Sequence, residues 1–165
     1  KYWLRHWLVW LETIGCHVKG HYLKIEGLKK VNSLQPTAEL RPQAKMQTDE
    51  KDLMPYEVLD AIEKVAIRDK KAPIDCFKFM EVRFADIYSR EILFTSVERF
   101  FKLWSRNQWK RERYAPSFHL DDYNLDPRSW CRFPILSGGF EKELEELRAY
   151  FEGKNNSVRK GKIGF

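Results

Sequence analysis

Between Pro36 and Tyr56 the chain gathers a hydroxyl at Thr37, cations at Arg41 and Lys45, and carboxylates at Asp49, Glu50 and Asp52. Groups of these types on one loop can hold phosphate oxygens, a ribose or a hydrated Mg²⁺. An exposed loop ending on a helix-capping Asp has the same composition. A second set comprises Arg106, Lys110, Arg111 and Arg113, interleaved with Trp104, Trp109 and Tyr114. Cations beside stackable rings suit a dinucleotide, and they equally suit a nucleic-acid strand. Cys16, His17 and His21 lie close in sequence, but zinc takes four ligands and no second pair follows, so no metal site is expected. His119 beside Asp121 and Asp122 could act as an acid or base, or could simply satisfy backbone groups. Ser137-Gly138-Gly139 follows an apolar run and precedes a helical pattern, as a phosphate loop does. Glu141 would meet a phosphate there with like charge, so a helix start capped by Ser137 is the expected reading.

Helices must position these groups. Apolar residues at helical spacing mark one segment through Trp3, Leu4, Trp7, Leu8, Leu11 and Ile14, ending at Gly15, with Trp10 off that stripe. A second carries Val58, Leu59, Ile62, Val65 and Ala66, with Pro55 near its start. A third carries Phe77, Met80, Phe84, Ile87 and Tyr88; a fourth carries Val97, Phe100, Phe101, Trp104 and Gln108, with Thr95 and Glu98 spaced as a capping box ahead of it. A last helix should run from Phe140 through Leu144, Leu147 and Phe151 to Gly153, with Glu141 and Glu143 at its positive end. Long irregular stretches, about 34–52 and 114–139, separate the helices, and loops of that length are commonly functional. The basic tail from Lys154 should fray. The expected architecture is therefore mainly α, with long loops and one or two short strands.

Composition narrows the partners. The 165 residues fit one domain or a large piece of one. A net charge of +6 favours anionic partners. Three scattered cysteines fit no disulfide framework and suit a reducing cytoplasm. No apolar run reaches the roughly 18 residues of a membrane span, and the first residues lack a secretory pattern. The chain opens without Met and within a helical pattern, so it is expected to be a piece of a larger protein.

Pro36-Thr37-Ala38-Glu39-Leu40 followed by Gln47-Thr48-Asp49-Glu50 resembles the substrate loop of NAD synthetases. The stretch from Phe100-Phe101 through Asn107-Gln108-Trp109-Lys110-Arg111 to Pro116-Ser117-Phe118-His119 resembles the C-terminal helix and tail of the glutamine-dependent members. Trp130 to Phe140 looks like the terminus of a bacterial subgroup, so the resemblance covers about Leu34 to Phe140. It implies that 1–140 is the C-terminal part of a synthetase domain, with a substrate loop at 34–55 and a C-terminal helix and tail at 95–140. Residues 141–165 would then be a terminal helix and basic tail. The implied fold is the helical end of an α/β adenine-nucleotide α-hydrolase-like (ATP pyrophosphatase) domain.

The implied reaction is amidation of deamido-NAD to NAD. ATP and Mg²⁺ support an adenylated intermediate, and the ammonia comes from glutamine through a separate nitrilase-like domain. Thr37 and Lys1 would contact ATP; Asp49, Glu50, Trp109 and Lys110 would contact deamido-NAD. Trp109 stands where the family usually has His, which exchanges a polar contact for stacking. The family's Ser-Gly-Gly-x-Asp-Ser loop is missing, because Phe140-Glu141-Lys142 follows Ser137-Gly138-Gly139. The chain is therefore expected to be inactive alone, needing the upstream synthetase half, and to belong to a cytoplasmic homo-oligomer. The alternative is a basic aromatic helical module that binds nucleic acid or forms an oligomer interface.

Overall fold

The computed structural model describes residues 2–34, 53–113, 126–129, 131 and 138–161, with side chains of the last helix described to Gly153. Two compact units divide the chain, 1–60 and 61–165.

In the first unit, α1 (Tyr2–Thr13) is built from Trp, Leu and Val residues and ends where Gly15 takes a left-handed φ of 79°. The N–H groups of Ile14 and Gly15 both bond the Trp10 carbonyl, which closes the last turn. Strands β1 (Cys16–Val18) and β2 (His21–Leu23) then pair antiparallel, with Cys16 opposite Leu23, His17 opposite Tyr22 and Val18 opposite His21. Lys19 and Gly20 join them with φ of 49° and 81°, the two positive values that a two-residue turn needs to match strand twist. Helix α2 (Leu28–Ser33) packs on α1, and Asn32 donates to the Glu12 carboxylate at 2.7 Å. Ile25 N–H donates to the Leu11 carbonyl at 3.0 Å, and the Tyr22 hydroxyl donates to the Ile14 carbonyl. Leu11 is the one buried side chain of α1, while Trp3, Leu4, Trp7 and Ile14 stay more than half exposed. The amphipathic pattern of the first helix is real, but this unit covers only a narrow line of it.

Helix α3 (Tyr56–Glu63) runs from the end of the first unit into the second, following Pro55 as expected. Its continuation, Lys64–Arg68, is a π-helical turn. The wider turn brings Val65, Ala66 and Ile67 closer to one side than an α-helical turn would, and all three are buried. Helix α4 (Pro73–Arg83) begins with Pro73 in its first turn. Helix α5 (Arg90–Arg106) is followed by the short α6 (Gln108–Arg111), and α7 (Glu141–Gly161) closes the described chain. Helix α4 packs against both α5 and α7. Val58 and Ile62 of α3, Phe77 and Met80 of α4, Leu93 and Val97 of α5 and Leu147 of α7 are all but fully buried. Phe77 makes edge-on contacts with Phe94, Tyr150 and Phe151, and Phe94 stacks on Phe151 at 4.2 Å. Arg90 lies over the Phe77 and Phe151 rings, pairs with Glu81 at 2.5 Å and donates to the Phe151 carbonyl at 2.9 Å.

The described secondary structure is thus helical apart from one hairpin, as the periodicity implies. Three boundaries differ from the sequence expectation. Thr95 and Glu98 are interior to α5, whose N-cap is Ser89, with its side chain accepting from Ile92 N–H at 3.4 Å. Spacing of i and i+3 occurs within helices as well as at caps, so the apolar residues upstream of Thr95 decide the start. The third helix stops at Arg83, and Ile87 and Tyr88 fold back through bonds to the Phe84 carbonyl. Helix α7 continues past Gly153 to Gly161 instead of ending there. Most of the two long loops lies outside the described residues.

Candidate functional site

The end of α5 and the whole of α6 bring together one described set of residues whose chemistry the sequence singles out. The apolar line of α5 buries Phe100, Phe101 and Trp104, with Phe100 and Trp104 stacked 5.8 Å apart. Asn107 closes α5 through its N–H to the Leu103 carbonyl, and the chain turns at once into α6, where Gln108 is buried. Burying Gln108 forces its neighbours outward. Trp109 is 54% exposed, and Lys110 and Arg113 are exposed beside it, with Lys110 Nζ 5.7 Å and Arg113 Cζ 5.2 Å from the Trp109 ring. Arg111 takes the other side. Its guanidinium lies 3.6 Å over the Trp104 ring and donates to the Trp104 carbonyl at 2.6 Å. Arg111 is therefore committed to the fold, whereas Trp109, Lys110 and Arg113 present a ring and two cations to solvent. A flat anionic ligand can stack on the indole and pair its charge with either cation.

Two concavities adjoin α5. One holds about 180 Å³ and is lined by Ala66, Ile67, Pro73, Phe101, Trp104 and Phe140, with Lys70, Lys71 and Glu143 contributing charge. Its apolar floor was not visible in the sequence, because it is assembled from four separate segments; the Lys70-Lys71 pair ahead of Pro73 was the available signal. The other is an open groove of about 900 Å³ between α5 and the start of α7. Glu98 sits in it, bonded by Arg148 at 2.7 Å and paired with Lys102 at 3.0 Å. Burial pushes the Glu98 carboxyl up, but the hydrogen bonds from Lys102 and Arg148 outweigh that and hold it below the usual carboxylate value. Gly139 takes a φ of 63° at the mouth of this groove, where an added Cβ would come within 3.2 Å of Ser105 Oγ.

Of the residues singled out from the sequence, Trp109 and Lys110 are neighbours on α6. Lys1, Thr37, Asp49 and Glu50 lie outside the described residues, as do Arg41, Lys45, Asp52, Tyr114, His119, Asp121, Asp122 and Ser137. Cys16, His17 and His21 lie on the hairpin, and no group of three His, Cys, Asp or Glu among the described residues is placed to hold a metal ion. Burial raises the thiol of Cys131, against the pull of Lys70 and Arg111, and raises that of Cys76 to about 12, so neither is an activated nucleophile. No described helix is long and apolar enough to cross a membrane.

The described chain is mainly helical and carries an aromatic and cationic face on α6. The solved structure of a glutamine-dependent NAD(+) synthetase from Cytophaga hutchinsonii matches it with a TM-score of 0.65 and 42% identity, over 89% of this chain and 20% of that one. A Schizosaccharomyces pombe protein named "Putative glutamine-dependent NAD(+) synthetase" is 31% identical over 123 residues, 71% of this chain and 18% of that protein. No family model matches the chain. The chain is a homologue of part of the glutamine-dependent NAD(+) synthetases, as the sequence resemblance implies. It spans about a fifth of the length of these relatives.

Proposed function

We propose that this chain is the C-terminal portion of the synthetase domain of a cytoplasmic, glutamine-dependent NAD⁺ synthase. The reaction converts deamido-NAD, ATP and ammonia to NAD, AMP and pyrophosphate through an adenylated carboxylate, with glutamine as the ammonia source. The likeness to the Cytophaga synthetase, at 42% identity over 89% of the chain, carries this reading. In it Trp109 and Lys110 meet deamido-NAD, the indole by stacking and the ammonium by charge, a role that their exposure on α6 supports. Asp49 and Glu50 join them on that substrate, while Lys1 and Thr37 meet ATP, whose phosphates Mg²⁺ would neutralise. Those four residues lie outside the described ones. The isolated chain, without the Ser-Gly-Gly-x-Asp-Ser loop, performs no turnover.

A chimera tests the proposal. The matching fifth of the Cytophaga enzyme is replaced by this chain, and NAD formation is followed with deamido-NAD, ATP, Mg²⁺ and glutamine. Activity within about tenfold of the parent is expected, with Lys110→Ala raising the KM for deamido-NAD by about tenfold, the loss of one charge-assisted contact. A folded chimera without activity would overturn the assignment. An active chimera in which Lys110→Ala changes neither KM nor kcat would remove Lys110 from the site.

A further inference from the structure

The smaller cavity beside α5 lies wholly within the second unit, and the way the π-helical turn ends sets its edge. The Lys71 N–H donates to the Val65 carbonyl at 3.1 Å, and Lys70 takes a left-handed φ of 55° to allow it. This is the reversal at which helices usually place glycine. A lysine is strained there where glycine would not be, and backbone strain of this kind gathers at ligand-binding positions. The reversal sets the exposed Lys70 and Lys71 on a cavity of about 180 Å³. Ile67, Phe101, Trp104 and Phe140 form its apolar floor, with Phe140 meeting Phe101 edge-on at 4.8 Å. Ala72 and Pro73 line it as well, and they open α4, whose positive end no side chain caps.

Glu143, from the first turn of α7, reaches the same cavity and is half-buried. Among the described residues no ion pair joins it to Lys71. The apolar floor is thus edged by charges of both signs, carried on different elements. A neutral hydrocarbon would leave those charges unused. A plain carboxylate would meet Glu143 with like charge, and a plain amine would meet the lysines in the same way. A ligand that carries an anionic and a cationic group beside an apolar side chain answers all three features. Size narrows it further. A cavity of about 150 Å³ holds a benzene ring, so this one accepts a phenyl or isobutyl group with its charged groups at the mouth. The rings of Phe101, Trp104 and Phe140 suit a phenyl by edge and face contacts.

We propose that this cavity binds a free α-amino acid with an apolar side chain, of the phenylalanine or leucine kind. Lys70, Lys71 and the start of α4 receive its carboxylate, and Glu143 receives its ammonium. The proposal stands on the second unit alone and does not need the synthesis proposed above. Amide chemical shifts of the ¹⁵N-labelled 165-residue chain, followed by NMR while L-phenylalanine is added to about 5 mM, test it. The amides of Ala66 and Ile67 should shift, with a Kd below about 1 mM. Phenylpropionate, which lacks the ammonium, and phenethylamine, which lacks the carboxylate, should each bind about tenfold more weakly or worse. Lys70→Gly should keep or raise the urea midpoint, because glycine suits the left-handed turn, and yet weaken phenylalanine about tenfold. Glu143→Gln should weaken phenylalanine by a similar factor while binding phenylpropionate at least as well as the wild type does. Absence of any shift at about 5 mM would overturn the proposal. Shifts confined to Trp109 and its neighbours would also overturn it, by placing the ligand on α6. Equal binding of phenylpropionate and phenylalanine would overturn the amino-acid assignment, and full binding by a folded Lys70→Gly variant would overturn the use assigned to the strained turn.

Discussion

Both units begin from amphipathic helical patterns and end with different cores. In 61–165, α3, α4, α5 and α7 all contribute side chains that are almost wholly buried, and an arginine is enclosed between two rings. In 1–60, Met54 and Val58 are buried near the unit's end, but α1 buries Leu11 alone and leaves its tryptophans at the surface, and the hairpin strands bury no side chain. Periodicity states which face is apolar; it does not state what covers that face. The helical unit is held by area removed from water, whereas the hairpin end of the first unit is held by backbone geometry at Gly15, Lys19 and Gly20 and by hydrogen bonds such as that from Ile25 to Leu11.

The contrast is broken most directly by truncating one aromatic in each unit. Phe77→Ala should cost about 3–5 kcal/mol, because the ring is fully buried and its four neighbours cannot all close the cavity. Trp7→Ala, at a half-exposed position, should change stability by no more than about 0.5 kcal/mol. Urea denaturation gives both numbers, and equal losses would show that burial is not what separates the units. The next effect is expected at Gly15. An added Cβ there would sit 2.5 Å from the Leu23 carbonyl oxygen, on backbone whose φ of 79° already disfavours a side chain. Gly15→Ala should destabilise the hairpin end of the first unit by about 2 kcal/mol. Hydrogen exchange reads this locally: the Ile25 amide should lose protection while the Phe84 amide, bonded to Met80 in the other unit, keeps it. Equal loss at both would mean that the two units unfold together.

What the sequence disclosed follows the same division. The line Val97, Phe100, Phe101 and Trp104 fixed the existence and inner face of α5, because several periods of one pattern agree. Its start was hidden by the cap-like spacing of Thr95 and Glu98, and the π-helical turn was hidden because Val65 and Ala66 read as one more α-helical step. Trp10 was set apart from the first helix's stripe, yet it lies on the line of Trp3, Trp7 and Ile14; counting Leu4, Leu8 and Leu11 into one stripe merged two faces. At the candidate site, residue types alone marked Trp109 and Lys110. That Arg111 is spent on Trp104 while Arg113 is left beside Trp109 depends on the burial of Gln108, which is tertiary information.

Electrostatics sharpens the comparison at about 1 kcal/mol. Glu98 joins α5 to α7 through Arg148, and its carboxyl is held below the ordinary value. A depressed folded-state pKa stabilises fully above the unfolded value, 4.5 for a free Glu, and the contribution disappears as pH falls through the lower folded value. Urea midpoints between about pH 7 and pH 3 should therefore fall less steeply for Glu98→Gln than for the wild type. Parallel curves would show that the pairing of Glu98 with Lys102 and Arg148 adds nothing to the helical unit's stability.

The smallest effect is a gain, and it bears on whether α7 is one helix. The sequence marks Gly153 as a helix end, whereas the backbone continues to Gly161 and an added Cβ at 153 meets nothing within 4 Å. A helical glycine costs about 0.5–1 kcal/mol relative to alanine through its greater freedom in the unfolded chain. If α7 passes through this position, Gly153→Ala should raise stability by about that amount and leave the Phe77 contacts with Tyr150 and Phe151 in place. If the helix stops there with glycine in a left-handed cap, the same substitution should destabilise instead, because alanine resists a positive φ. The sign of one urea midpoint shift thus decides between two structures of the same segment.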